Sequence, residues 1–206
     1  MTDPTPAWND AWTAVGARAD EALLAELLQR YREPHRKYHT LQHLNECFAR
    51  FELLREAAVH PAEIAIALWF HDAFYDVTRD DNERLSAQWA KRTALDAGAG
   101  HAIAHRLHEL VMVTRHDALA TTHDEQILVD VDLSILGAAP ERFDEYEQQV
   151  REEYAHVPQP LFSARRRAIL EAFLGRDRIF GTEQFAALLE ERARDNLSRS
   201  VERLAG

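Results

Sequence analysis

The stretch Ile64-Ala65-Ile66-Ala67-Leu68-Trp69-Phe70 is apolar at every position and runs directly into His71-Asp72. Pro61 lies shortly ahead of it, where proline fits the first turn of a helix. A short apolar run is also compatible with a strand, but the alanines and the helical patterns on both sides favour a helix. A helix that is apolar on every side is predicted to be buried within the fold.

The rest of the chain shows helical spacing in nearly every segment. Apolar residues recur at intervals of three and four residues from Ala7 to Tyr31 and again from Thr40 to Leu54. Glycine and proline occur only seven times each, which favours long elements over many short strands. The sequence therefore predicts an all-α bundle. Its further helices are expected over 82–97, 102–115, 124–136, 140–154, 163–174 and 182–204.

Composition limits the classes of function. The 206 residues carry a formal net charge of −11, which does not suit duplex nucleic acid, although a cation and local arginines can still attract a small anion. The single cysteine, Cys47, excludes a disulfide framework and a cysteine-based zinc site, and it is expected to be a buried apolar residue. Without a signal peptide or an apolar run approaching ~20 residues, we expect a cytoplasmic protein with no membrane segment.

Two carboxylates are expected on buried helix faces. Asp72 ends the most apolar helix, and Asp132 shares the apolar face of its own helix with Leu128 and Ile135. Asp130 points away from that face and is expected to be solvated. An ionised carboxylate in a protein core is costly unless a cation or a hydrogen-bonded partner offsets it.

Histidines supply nitrogen donors beside these carboxylates. His71 is adjacent to Asp72, and His39 and His43 lie one helical turn apart at the start of another helix. Imidazole and carboxylate together are common ligands of Zn, Mn and Fe. If the segments that contain His43, His71-Asp72 and Asp132 meet at one divalent metal ion, the ion explains why polar residues lie on buried helix faces. The alternative for His71 and Asp72 is a structural ion pair. The alternative for His39 and His43 is that both are exposed polar residues at the end of a helix.

The order of these segments resembles the HD-domain superfamily of metal-dependent phosphohydrolases, and most of all a bacterial subgroup of predicted HD phosphohydrolases. The resemblance covers nearly the whole chain. It implies one HD-type helical domain over 1–206, with a core over about 31–137 and C-terminal helices over 140–204 packed on it. It rests on YREPHRKYHTLQHL at 31–44, ALWFHDAFYD at 67–76, NERLSA at 82–87, DVDLSILG at 130–137 and ARDNL at 193–197.

This resemblance implies roles for single residues. His39 matches the proton donor to the leaving group, as in cyclic-nucleotide phosphodiesterases, and Glu83 matches an acidic residue that holds or activates a metal-bound water. Asp72 is able to bridge two ions. The implied cofactor is one or two divalent ions among Mn, Fe, Zn, Ni, Co and Mg. The residues that match the family's metal ligands are His43, His71, Asp72 and Asp132.

Other residues are candidates for contact with a substrate. Arg36 and Lys37 flank His39 closely enough to hold phosphate, with a solvated loop as the alternative. His116 is expected to ligate a second metal ion, to contact substrate, or simply to stabilise a helix end. The run Arg165-Arg166-Arg167 is expected to be mainly solvated, with one member able to reach a substrate.

The expected function is a phosphohydrolase that uses metal-activated water to cleave a phosphate ester or anhydride of a nucleotide or another small phosphorylated metabolite. Two other classes stay open: a non-catalytic metal- or ligand-binding helical module with a retained HD centre, and a helical adaptor without metal. A catalytic metal site differs from a structural one because it keeps one coordination position open for water or substrate. The expected partner is the small phosphorylated substrate. A homodimer also stays open, because the two tryptophans of the first helix could pack against a second copy as well as against the core.

Overall fold

Helices form all the regular secondary structure in the part of the chain that the computed structural model describes, residues 4–117 and 119–205. The prediction of an all-α fold is confirmed. Three short 3-10 turns directly follow α-helices, at Arg55–Ala57, Val113–Arg115 and Leu133–Gly137. The α-helices in this part of the chain are α1 Thr5–Ala14, α2 Glu21–Arg30, α3 Leu41–Leu54, α4 Pro61–Phe70, α5 Asn82–Asp96, α6 His101–Met112, α7 His123–Asp132, α8 Pro140–Glu153, α9 Gln159–Leu174 and α10 Glu183–Ala205.

The apolar helix α4 lies at the centre of the fold, as its sequence predicts. Every residue from Glu63 to Phe70 is buried, and α1, α3, α5, α6 and α7 all contact this helix. Trp8 and Trp12 of α1 are buried too, and the ring of Trp8 meets that of Trp69 edge-on at 5.9 Å. The two tryptophans therefore pack into the core of their own chain and offer no surface to a second copy.

The continuous helical run expected from Ala7 to Tyr31 is two helices. Gly16 adopts a φ of +71°, and the amide of Ala17 donates to the carbonyl of Trp12, so α1 ends in the left-handed conformation that glycine allows. Asp20 then begins α2 by accepting a hydrogen bond from the amide of Ala22 at 2.9 Å. The apolar spacing continues across this break because both helices face the same core.

Asp130 is buried, and the expectation that it is solvated is wrong. Its carboxylate accepts hydrogen bonds from the amides of Gly181 and Thr182, each at 2.7 Å, and from the Thr182 hydroxyl at 2.5 Å. The segment that leads into α10 thus covers the side of α7 opposite Asp132. Helical periodicity places Asp130 off the apolar face, but it does not show that a later segment packs there.

The turn that follows α7 is held by α10. A Cβ atom at Gly137 would lie 2.7 Å from Cβ of Leu189, so only glycine fits this close approach. Nε of Arg192 donates to the carbonyl of Gly137 at 2.6 Å, and Asn196 donates to the carbonyls of Leu136 and Ala138, both at 2.9 Å. The end of α7, where Asp132 lies, is thereby fixed. None of the described helices combines the length and apolar character needed to cross a membrane.

Candidate metal centre and adjoining cavity

Three separate helices bring the four predicted ligands together. His43 lies in the first turn of α3, which Thr40 begins by accepting a hydrogen bond from the amide of Gln42 at 3.2 Å. His71 and Asp72 follow the last residue of α4, and Asp132 is the last residue of α7. Helix ends carry side chains into the interior where the helices meet. We call His43, His71, Asp72 and Asp132 the metal centre, because their donor atoms are the candidates for holding one ion.

The donor atoms of the metal centre are spaced as neighbours around a single ion. Nε2 of His43 lies 3.1 Å from Nε2 of His71, 3.2 Å from Oδ1 of Asp132 and 3.4 Å from Oδ2 of Asp72. Nε2 of His71 lies 3.0 Å from Oδ2 of Asp72 and 3.7 Å from Oδ1 of Asp132. Ligands about 2.1 Å from one metal ion are roughly 3.0 to 3.5 Å from one another. The geometry therefore fits a shared divalent ion.

The orientation of His71 shows that something positive belongs between these groups. Its Nδ1–H donates to the carbonyl of Leu68 at 2.8 Å, which leaves the lone pair of Nε2 directed at Asp72. Oδ2 of Asp72 is buried and has no hydrogen-bond partner among the described residues. Two acceptors at 3.0 Å repel each other unless a proton or a metal ion lies between them. A metal ion satisfies both atoms.

Cys47 also belongs to the group of donors. Its Sγ lies 3.6 Å from Nε2 of His43, and donor atoms of His43, Cys47, His71 and Asp132 all lie within 4.8 Å of one another. The expectation that Cys47 is buried is confirmed. The expectation that a single cysteine rules out a metal site containing this thiol is wrong, because Sγ lies among the donor atoms of a group able to hold an ion. Burial raises the pKa of the Cys47 thiol. Because thiolate is the form that binds metals, this shift opposes its use as a ligand.

Charge at the metal centre is balanced between carboxylates and imidazoles. Burial opposes ionisation of Asp72, yet the nearby His71 and His39 hold the pKa of this carboxyl well below its usual range. Burial likewise opposes ionisation of Asp132, whose pKa is nevertheless lowered by hydrogen bonds from His116 and His43. The pKa of His71 is raised against the effect of its burial, chiefly by Asp72. Without a metal ion, protons on His43 and His71 would balance the two carboxylates, and a cation would take the place of these protons.

His39 is held by a carboxylate that sequence reasoning missed. Oε2 of Glu153 accepts a hydrogen bond from Nδ1 of His39 at 2.8 Å and from the Tyr75 hydroxyl at 2.7 Å. Oε1 of Glu153 accepts hydrogen bonds from the amides of Lys37, Tyr38 and His39 at 2.8 to 3.0 Å. Although burial raises the pKa of Glu153, these partners lower it to about 2. Glu153 is 114 residues from His39, and no local pattern joins them.

Arg36 has a structural role instead of the phosphate contact expected from its position. Its side chain is fully buried, and its guanidinium donates to the carbonyls of Asp72 at 2.6 Å, Ala73 at 3.1 Å and His39 at 3.3 Å. The bonds to Asp72 and Ala73 satisfy carbonyls beyond the C-terminus of α4, and the buried guanidinium has no face left for a substrate. Lys37 is exposed, donates to the carbonyl of Pro34 and does not line the cavity described below.

His116 lies beside the metal centre with an unusual backbone conformation. Its φ of 57° makes it the one described non-glycine residue in the left-handed region, a conformation that often marks functional sites. Nε2–H of His116 donates to Oδ2 of Asp132 at 3.0 Å, while its buried Nδ1 has no partner among the described residues. This nitrogen is available to a second ion or to a bound molecule.

A cavity of about 370 Å³ opens next to the metal centre. Glu83 of α5 lines it, and burial together with the nearby Asp72 raises the pKa of the Glu83 carboxyl. Much of the remaining lining consists of apolar and aromatic side chains from α8, the turn after it and α9. The polar lining residues include His39, His71, Asp72, Glu83, His116, Asp132 and Arg165.

No protein-family model, no curated protein and no solved structure matches this chain. The structure itself provides an all-helical chain with a His, Cys and Asp cluster positioned to hold a metal ion.

Proposed function

We propose that this chain is a metal-dependent phosphohydrolase of the HD type, which cleaves a phosphate ester or anhydride of a nucleotide or another small phosphorylated metabolite. The observation that carries the proposal is the pair of facing acceptors, His71 Nε2 and Asp72 Oδ2, completed by His43 and Asp132. This centre lies beside a cavity large enough for a small organic molecule.

The donor set suits a divalent ion held by nitrogen and oxygen. Two imidazoles and two carboxylates admit Mn, Fe, Zn, Ni, Co or Mg, and the free nitrogen of His116 would allow a second ion nearby. A bound ion would polarise a phosphoryl oxygen and lower the pKa of a coordinated water.

His39 is the candidate donor of a proton to the departing oxygen. Because Glu153 holds Nδ1–H of His39, the other ring nitrogen, Nε2, is the one left to serve a leaving group in the cavity that His39 lines. In the imidazolium form this Nε2–H can be donated to a leaving group, and the carboxylate of Glu153 stabilises the positive charge on the ring. Tyr75 stacks on the imidazole at 4.1 Å and limits its rotation.

Glu83 is the candidate acceptor for the proton of the attacking water. Its carboxylate lies on the cavity wall, and its raised pKa brings it nearer to the operating range of a general base. The acid and the base of the reaction would then come from two different elements, α5 and the loop before α3.

A closed structural metal site is the second candidate, and Cys47 favours it. His43, Cys47, His71 and Asp132 would form a complete tetrahedral set without Asp72, and a closed set leaves no position for water. The raised pKa of the Cys47 thiol and the cavity beside Asp72 favour the hydrolase.

Metal analysis followed by an activity screen tests the proposal. Protein purified without chelator is expected to contain one or two divalent ions per chain and to release phosphate from members of a nucleotide and phosphate-ester panel when divalent metals are added. His71→Ala should lose both properties, whereas His105→Ala, an exposed histidine on α6, should keep both. If no divalent ion binds or no ester is cleaved with any ion, the chain is not a metal-dependent phosphohydrolase.

A further inference from the structure

The cavity has an apolar wall that phosphate cleavage does not require. One face of α9 contributes residues spaced three or four apart, and the end of α8 with the turn after it adds more. At one end of this wall the ring of Phe173 lies 6.4 Å from that of His116, so the wall begins next to the metal centre. We define the apolar wall as Val150, Tyr154, Val157, Phe162, Ile169, Leu170 and Phe173.

Ile169 shows that this wall is not fully covered by the chain itself. It lines the cavity, yet 49% of its surface is exposed, while Leu170 beside it is completely buried. Apolar side chains around a concave space are the usual environment for the organic part of a small ligand. A site built only for inorganic phosphate or pyrophosphate would have no use for them.

Arg165 adds a cation to the same helix face. The other two cavity arginines are already paired: Arg166 binds Glu147 and Tyr146, and Arg115 binds Asp117. Arg165 is exposed and makes no hydrogen bond or ion pair with any residue that the structure describes. Its guanidinium is therefore available to an anion, which arginine can bind with two parallel hydrogen bonds.

We propose, on the basis of the function proposed above, that the substrate is an organic phosphate with an apolar or aromatic body, which packs on the apolar wall while Arg165 binds the phosphate. The metal centre and Arg165 then act on the charged end of the molecule, and Ile169 and Phe173 contact its body. Polar sugar phosphates and inorganic pyrophosphate are poorer ligands.

The test compares two phosphonates, which resemble phosphate esters but are not hydrolysed. Methylphosphonate and benzylphosphonate are titrated calorimetrically into the Mn²⁺-loaded protein. Wild type is expected to bind benzylphosphonate at least about tenfold more tightly, because only the benzyl group reaches the apolar wall. Equal affinities for the two compounds would overturn the proposal.

Matched variants on α9 separate the two parts of the site. Arg165→Gln should weaken both phosphonates by about tenfold, whereas Arg167→Gln should change neither, since Arg167 is exposed and pairs with Glu171. Ile169→Ser should weaken the binding of benzylphosphonate alone. Leu161→Ser, at a similarly exposed position of α9 that does not line the cavity, should have no effect. An Arg165→Gln variant with wild-type affinity for both compounds would refute the role of Arg165.

Failure of this inference is distinguishable from failure of the proposed function. A protein that cleaves phosphate esters but binds both phosphonates equally is a hydrolase without the apolar preference. A protein that prefers benzylphosphonate but cleaves no ester with any metal binds the predicted class of ligand without being a hydrolase.

Discussion

Asp72 and Cys47 are the two candidates for the fourth metal ligand. The other three candidate ligands, His43, His71 and Asp132, are common to both donor sets. Asp72 Oδ2 faces the lone pair of His71 without a hydrogen bond, while the Cys47 thiol is kept neutral by burial. The hydrolase needs Asp72 as a ligand, and the closed structural site needs Cys47.

Substitution of each residue decides between the two donor sets. We expect Asp72→Asn to lose Mn²⁺ binding and Cys47→Ser to retain it within about threefold, because a carboxylate is the stronger ligand for a hard cation. Isothermal titration with Mn²⁺ measures both. The reverse pattern, binding lost with Cys47→Ser and kept with Asp72→Asn, would favour the structural site.

His39 is expected to act on turnover and not on metal binding. His39→Ala should keep its metal content and lose about 10²- to 10⁴-fold in kcat, the range for loss of a general acid. Metal analysis and steady-state kinetics on the best ester of the panel give the two readouts. Full turnover of the variant on every substrate would show that His39 is not the proton donor.

Glu153 is expected to make stability dependent on pH. Its pKa of about 2 lies below the ordinary value of 4.5, so the folded state favours its ionised form. The resulting stabilisation, about 3 kcal/mol, is present above pH ~5 and is lost as the pH falls toward 2. Urea unfolding of Glu153→Gln should thus differ from wild type near pH 7 and converge with it near pH 2. The exposed Glu152→Gln serves as control, and a difference independent of pH would contradict the assignment.

The roles of single residues differ in how well the amino-acid sequence predicts them. Asp72 and Asp132 stand out because they are carboxylates on apolar helix faces, and His71 is adjacent to Asp72. The choice of His43 rather than His39 as a ligand rests on the resemblance to the HD superfamily. The roles of Glu153 and Arg36 could not be predicted, since their partners come from distant segments or from backbone carbonyls, which leave no pattern in the side chains.

At the scale of elements, the junction between α7 and α10 determines how firmly Asp132 is held. Gly137→Ala is expected to destabilise the fold by about 1 to 3 kcal/mol, since its Cβ would overlap Leu189 on a packed helix. Urea denaturation measures the loss. Gly100→Ala, where a Cβ meets no atom within 4 Å, is the control, and equal stability of the two variants would contradict the close approach.

Helix ends were harder to predict than helices. Gly137 marks the end of a helix in the sequence, and the 3-10 turn after α7 does end there, but Leu189 explains why glycine is needed. Gly16 breaks a run whose apolar spacing continues undisturbed on both sides. Periodicity reports which face is buried, and it contains little information about where the backbone changes direction.

At the scale of the whole molecule, the site depends on both halves of the chain. Helices α3, α4 and α7 supply the metal centre, whereas α8 and α9 supply the apolar wall and the carboxylate of Glu153. The ligands could be expected from the segments up to Asp132 alone. The cavity could not, because it forms only where the later helices pack beside the earlier ones.

Anomalous X-ray diffraction from crystals grown with Mn²⁺ tests the convergence of these helices most directly. The account predicts a peak about 2.0 to 2.3 Å from Nε2 of His43 and His71 and from carboxylate oxygens of Asp72 and Asp132, and no such peak in Asp132→Ala. A manganese peak elsewhere, or none at these four side chains in the wild-type protein, would contradict it.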